Sequence, residues 1–79
     1  MKRVYIEWVD SFSMDHWQPE QSAINNADEL MYCSTIGFEV TKNKEMILIC
    51  HTINREGSVC GVIQIPRRCI TNIQYLINE

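Results

Sequence analysis

The sequence predicts a mainly β protein: a small five-stranded barrel with a long first loop carrying a short helix, and a 3-10 turn before the last strand. Three observations predict it. Residues 3–9 alternate strictly, with Val4, Ile6 and Trp8 on one face, the period of a half-buried strand. Two apolar runs of different phase flank the Pro66-Arg67-Arg68 step within residues 58–77, as at the closure of a small barrel. Glycines interrupt strand-like runs at Gly37 and Gly61, where a bent strand needs them.

The elements follow in order. On the first strand, Trp8 is expected to anchor the core, because a large aromatic on an apolar face contributes most by burial. Residues 10–29 break the pattern with Ser, Asn and Asp, the composition of a long excursion. Pro19 ahead of Glu20, Gln21 and Ala23 marks a short helix beginning near Trp17 or Gln18, and a further helical turn is expected over Ala27–Leu30. His16 and Trp17 are expected to cap one end of the barrel, since large aromatics tend to be buried.

Leu30 to Thr41 returns to strand, with Tyr32, Ile36, Phe38 and Val40 as its apolar positions and a bulge or bend at Gly37. Asn43-Lys44 is a hairpin turn, Asn tolerating positive φ. Residues 45–53, EMILICHTI, are apolar on both faces. A doubly apolar strand in so short a chain points to a subunit interface. Asn54–Gly57 is a second turn, with Gly57 suited to the left-handed position. Ser58–Ile65 is the next strand and Pro66, lacking an N–H, ends it. Pro66–Cys69 suits one 3-10 turn, after which Ile73, Tyr75 and Ile77 belong to a closing strand.

Seventy-nine residues form one domain, 1–79, with an expected radius of gyration of about 12 Å. So small a domain buries about 60–65% of its unfolded surface, and subunit contacts would strengthen it. No signal-peptide run opens the chain and no stretch is long enough to cross a bilayer, so a cytoplasmic location is expected. Cys33, Cys50, Cys60 and Cys69 form no Cys-x-x-Cys pair. They read as small buried apolar residues rather than as a metal site. The net charge of −3 argues against a general nucleic-acid binder. Charge is uneven: residues 10–29 carry five carboxylates and no Lys or Arg, while Lys42, Lys44, Arg55, Arg67 and Arg68 lie beyond residue 40.

The element order and the Ile-Pro-Arg-Arg-Cys-Ile turn resemble the SH3-like and Sm-like small barrels. The opening Val4-x-Ile6-x-Trp8, the Ser34-x-x-Gly37-Phe38 segment and the Gly61-Val62-x-x-Ile65-Pro66 ending are similar to small bacteriophage and prophage proteins. The resemblance implies a viral protein acting in the host cytoplasm. Phosphate-loop, zinc-protease and serine-hydrolase motifs are absent. Cys50 and His51, adjacent on a strand, point to opposite faces, so no enzyme, cofactor or metal is expected. The reading is a homo-oligomeric binding module for a nucleotide or short nucleic acid, in its most concrete form a counter-defence protein that sequesters a nucleotide messenger. Arg67 and Arg68, with Arg55, would hold phosphate, while Trp17, Tyr32 and Tyr75 would stack on bases. A surface ion pair with the acidic excursion is the competing role for the two turn arginines. The alternative function is inhibition of a host protein through the acidic 10–29 excursion.

Overall fold

The computed structural model describes residues 1–11, 16–27 and 30–77. The chain is mainly β. Strand β1 (Arg3–Asp10) leads through helix α1 (Glu20–Asn26) to the long β2 (Met31–Lys42). Strands β3 (Met46–Cys50), β4 (Thr52–Ile53), β5 (Val59–Cys60) and β6 (Ile63–Pro66) follow, then a 3-10 turn (Arg67–Cys69) and β7 (Ile70–Leu76). Five strands form one antiparallel sheet in the order β6-β3-β2-β1-β7, and β4 and β5 form a two-stranded ribbon. The expected helix, turns and closing strand are all present. The expected strands over 45–53 and 58–65 each split in two. The further turn expected over Ala27–Leu30 falls largely on 28–29, outside the described residues.

The split has a local cause. From Met46↔Pro66 to Ile53↔Val59 the pairing advances without a shift, so β3-β4 and β5-β6 are the arms of one kinked hairpin. Continuing that register places His51 opposite Gly61. Gly61 has φ +69°, and a Cβ there would lie 3.0 Å from the Cβ of His51. The kink is therefore built on a left-handed glycine that also makes room for the histidine. At the hairpin tip Gly57 (φ +85°) turns the chain, and Asn54 Oδ1 accepts from the N–H groups of Glu56 and Ser58.

Gly37 does something other than form a bulge. Its pairing with Val4 is regular, and the irregularity falls beyond it, between Glu39 and Thr41. A Cβ on Gly37 would stand 2.7 Å from the carbonyl oxygen of Cys50, so the missing side chain is what lets β3 close over β2. The Asn43-Lys44 turn also differs from expectation, because no described residue other than glycine has positive φ. Asn43 Oδ1 accepts from the N–H groups of Glu45 (2.8 Å) and Met46 (3.0 Å), an Asx turn that needs no left-handed residue.

The core is small: Val4, Ile6, Ile47, Ile49 and Ile65 form a fully buried cluster, with Trp8, Ile63, Ile70 and Ile73 packed against it. Each fully buried Ile or Val contributes roughly 1.5–3 kcal/mol. Trp8 supports this core as expected, and its Nε1 donates to Thr35 Oγ1 at 2.9 Å. Met46 and Leu48 are half-buried within the chain, so the second apolar face of β3 is partly covered without a partner. Of the cysteines only Cys50 is buried; Cys33 and Cys69 are half-buried and Cys60 is exposed.

Two expectations fail together. The Cα radius of gyration is 16.2 Å and the longest extent 51 Å, well above the compact value. Helix α1 has no buried residue, and Trp17 is 100% exposed. The described part of the excursion, residues 16–27, therefore does not provide the expected cap: His16 and Trp17 are exposed. Among the described residues, no helix is long and apolar enough to cross a membrane.

The glycines separate two kinds of constraint. Gly37→Ala should destabilise by about 3 kcal/mol through overpacking. Gly57→Ala, strained in φ but facing open space, should cost about 1 kcal/mol. Urea denaturation of both variants measures the difference; equal losses would mean that the crossing at Gly37 is not tight.

Candidate ligand-binding site

The hairpin register carries the Asn43-Lys44 turn alongside the Pro66-Arg67-Arg68 step. Arg67 is fixed there at two points. Its backbone N–H donates to the carbonyl of Glu45 at 2.8 Å, and its Nε donates to the carbonyl of Asn43. A groove of about 630 Å³ opens between the two turns, lined by Lys44, Met46, Gln64, Pro66, Arg67 and Arg68, with Asn43 and Glu45 completing it. Lys44 and Arg68 are exposed and make no hydrogen bond or ion pair with the described residues. Arg67 bonds only to main-chain carbonyls. Among the described residues neither arginine meets a carboxylate, which leaves the expected pairing with the acidic excursion without support there.

A second cluster stands on the same β2–β3 turn. Lys42 Nζ donates to Tyr75 Oη at 3.0 Å and lies 3.3 Å from Glu39 Oε1. Tyr75 Oη in turn donates to Glu39 Oε1 at 3.1 Å. Lys42 and Lys2 also approach the Tyr75 ring, their Nζ atoms 5.1 and 5.4 Å from its centroid, within cation–π range. The Lys42 pKa is raised above the ordinary lysine value of 10.5, first by the hydrogen bond to Tyr75, then by that to Glu39 and by the Glu39 charge. Consecutive residues thus serve two clusters: Lys42 holds Tyr75, and Asn43 holds Arg67.

No protein-family model, curated protein or solved structure matches this chain.

Of the residues singled out from sequence, Arg67 and Arg68 share the groove, and Tyr75 is tied to its neighbouring turn through Lys42. The other three lie elsewhere. Arg55 is at the hairpin tip, the end remote from Pro66 and roughly 25 Å from it at an ordinary strand rise. Tyr32 is opposite Val9 near the start of β2, and Trp17 is on the excursion. Sequence reading passed over Lys44, Gln64, Lys2 and Glu39. Lys44 and Gln64 were recoverable: counting the register back from the Asn54–Gly57 turn brings both beside Pro66. The Lys2–Tyr75–Glu39 contacts carry no such signal, because they follow from the pairing of β1 with both β2 and β7, strands far apart in the sequence. No group of three or more His, Cys, Asp or Glu able to hold a metal occurs among the described residues.

Two outcomes test this geometry. Asn43→Ala removes an acceptor that serves two backbone N–H groups and should cost about 1–2 kcal/mol, a loss of the size seen at helix N-caps, measurable as a lower urea midpoint. Lys42, its folded pKa raised, stabilises fully below the ordinary lysine value and loses that contribution as pH rises through the raised one. Glu39→Gln should bring the Lys42 titration down toward 10.5, followed by NMR of its ε-methylene, and shift the alkaline loss to lower pH.

Proposed function

We propose that this protein is a homo-oligomeric binding module of the SH3-like or Sm-like barrel type that captures a nucleotide or short nucleic acid by its phosphates. The observation that carries the reading is the groove in which Arg67, Arg68 and Lys44 converge with no carboxylate bonded to any of them among the described residues. Arg67, held by the Asn43 and Glu45 carbonyls, is preoriented, which lowers the entropic cost of binding. Arg68 and Lys44 supply donors that phosphate oxygens accept. Gln64 offers both a donor and an acceptor, and Met46 and Pro66 give the groove an apolar wall for a base or sugar. Tyr75 borders this region, whereas Trp17, Tyr32 and Arg55 would serve only from a neighbouring subunit. In the phage setting that the sequence resembles, such capture amounts to sequestering a host nucleotide messenger.

The barrel reading is supported by strand order. β7 adds beside β1, and the two ends of the sheet, β6 and β7, are joined by a three-residue turn, as expected of a sheet that curls on itself. The oligomer is supported by a core of six fully buried side chains among the described residues and by exposed Tyr32 and Ile36 on β2. Light scattering after size exclusion tests it; a clean monomer refutes it.

Because Arg67 also bonds within the fold, the sharper binding variant is Arg68→Glu with Lys44→Glu. It should keep the wild-type melting temperature and lose at least tenfold in affinity for any nucleotide that stabilises the wild type. If a panel of linear and cyclic nucleotides stabilises nothing, the reading fails. One observation favours a second reading, inhibition of a host protein. Trp17 is fully exposed on an excursion bearing Asp10 and Glu20, an aromatic anchor within an acidic surface. Stoichiometric retrieval of one host protein, lost in Trp17→Ala, supports it; retrieval that Trp17→Ala leaves unchanged sinks it.

A further inference from the structure

A separate cavity of about 420 Å³ lies where β1 begins and β7 ends, lined by Met1, Lys2, Arg3, Tyr75, Leu76 and Ile77. Its volume is within the range of small-molecule sites. Its lining is of two kinds. Leu76 is 40% exposed and Ile77 84%, an apolar wall left open to solvent. The cations Lys2 and Arg3 also line the cavity, and Lys42 approaches the same Tyr75 ring.

The charges around Tyr75 do not balance. Two ammonium groups, those of Lys2 and Lys42, converge on one ring. Glu39 is committed to Lys42 and to the Tyr75 hydroxyl. Beyond the Tyr75 ring, the Lys2 ammonium has no partner among the described residues. Like charges gathered on one ring oppose each other, and a second anion relieves that opposition. In a chain with net charge −3, such a local surplus stands out against the overall field.

We infer that this cavity binds a small organic anion with a carboxylate or phosphate head and a short aliphatic body. The head bonds the Lys2 ammonium beside Tyr75, and the aliphatic body lies along Leu76 and Ile77. Carboxylate and phosphate heads share the required chemistry: charge and oxygen acceptors for a lysine donor. The apolar wall selects the body, each buried methylene adding about 0.8 kcal/mol. This site is distinct from the Arg67–Arg68 groove and stands whether or not that groove binds nucleotides.

Methyl and amide NMR of the whole protein tests it, with octanoate and octyl phosphate as probes. Either probe should shift Tyr75, Leu76 and Ile77 saturably. Lys2→Glu, which removes no hydrogen bond or ion pair of the described residues, should keep the folded spectrum and weaken binding at least tenfold. Arg68→Glu should bind as the wild type does. The inference is overturned if neither probe saturates, or if Lys2→Glu binds unchanged. Neutral octyl glucoside binding as tightly would reduce the site to an apolar patch. Inorganic phosphate binding as tightly would remove the role of the aliphatic wall. Loss of probe binding in Arg68→Glu would move the ligand to the groove.

Discussion

The closeness of β3 to β2 at Gly37 is the constraint on which the rest of the molecule depends. The Cys50 carbonyl occupies the space where any side chain at position 37 would begin. That approach brings Ile47 and Ile49 onto Val4 and Ile6, and these four with Ile65 are nearly the whole fully buried core. Beyond it, β2 passes the irregularity between Glu39 and Thr41 and runs on to Asn43. The turn that anchors Arg67 and the lysine that anchors Tyr75 both stand at the end of the β2–β3 pairing that this approach permits. In a core this small no second layer can compensate, so local backbone geometry carries unusual weight.

The architecture was legible wherever a local rule fixed it. The alternation of Val4, Ile6 and Trp8, the left-handed Gly57, the proline that ends β6 and the 3-10 turn after it all read directly from residue type. Failures came where packing outranked pattern. On β2 the apolar positions Tyr32 and Ile36 face solvent, while Gly37, opposite Val4, is buried. Phe38 and Val40 of the same pattern are half-buried, and the space beside Gly37 is taken by Ile49 and the Cys50 carbonyl rather than by a side chain of β2. Trp17 was expected to be buried because tryptophans usually are, but burial needs a surface to pack on, and among the described residues none covers it.

The candidate site was half legible for a related reason. Two arginines on a rigid turn are visible in any reading of the chain. Their neighbours are set by strand register, and register is fixed by a turn ten residues away. The hairpin resumes the same register beyond its kink, where His51 sits against Gly61, so the bend interrupts the ladder without shifting it. Lys44 and Gln64 reach the arginines by that route. In the Tyr75 cluster, Lys42 is separated from Glu39 by the irregularity between Glu39 and Thr41, a feature with no mark in residue type.

The two ends of the sheet differ in a way that bears on how the protein survives at high concentration. Edge strand β6 has four residues and ends in proline, so it offers few donors to an incoming strand. Edge strand β7 is seven residues long and without proline. Uncontrolled strand addition is therefore blunted on one side and open on the other. Any strand or loop that paired with β7 would at the same time block fibrillar growth from that side.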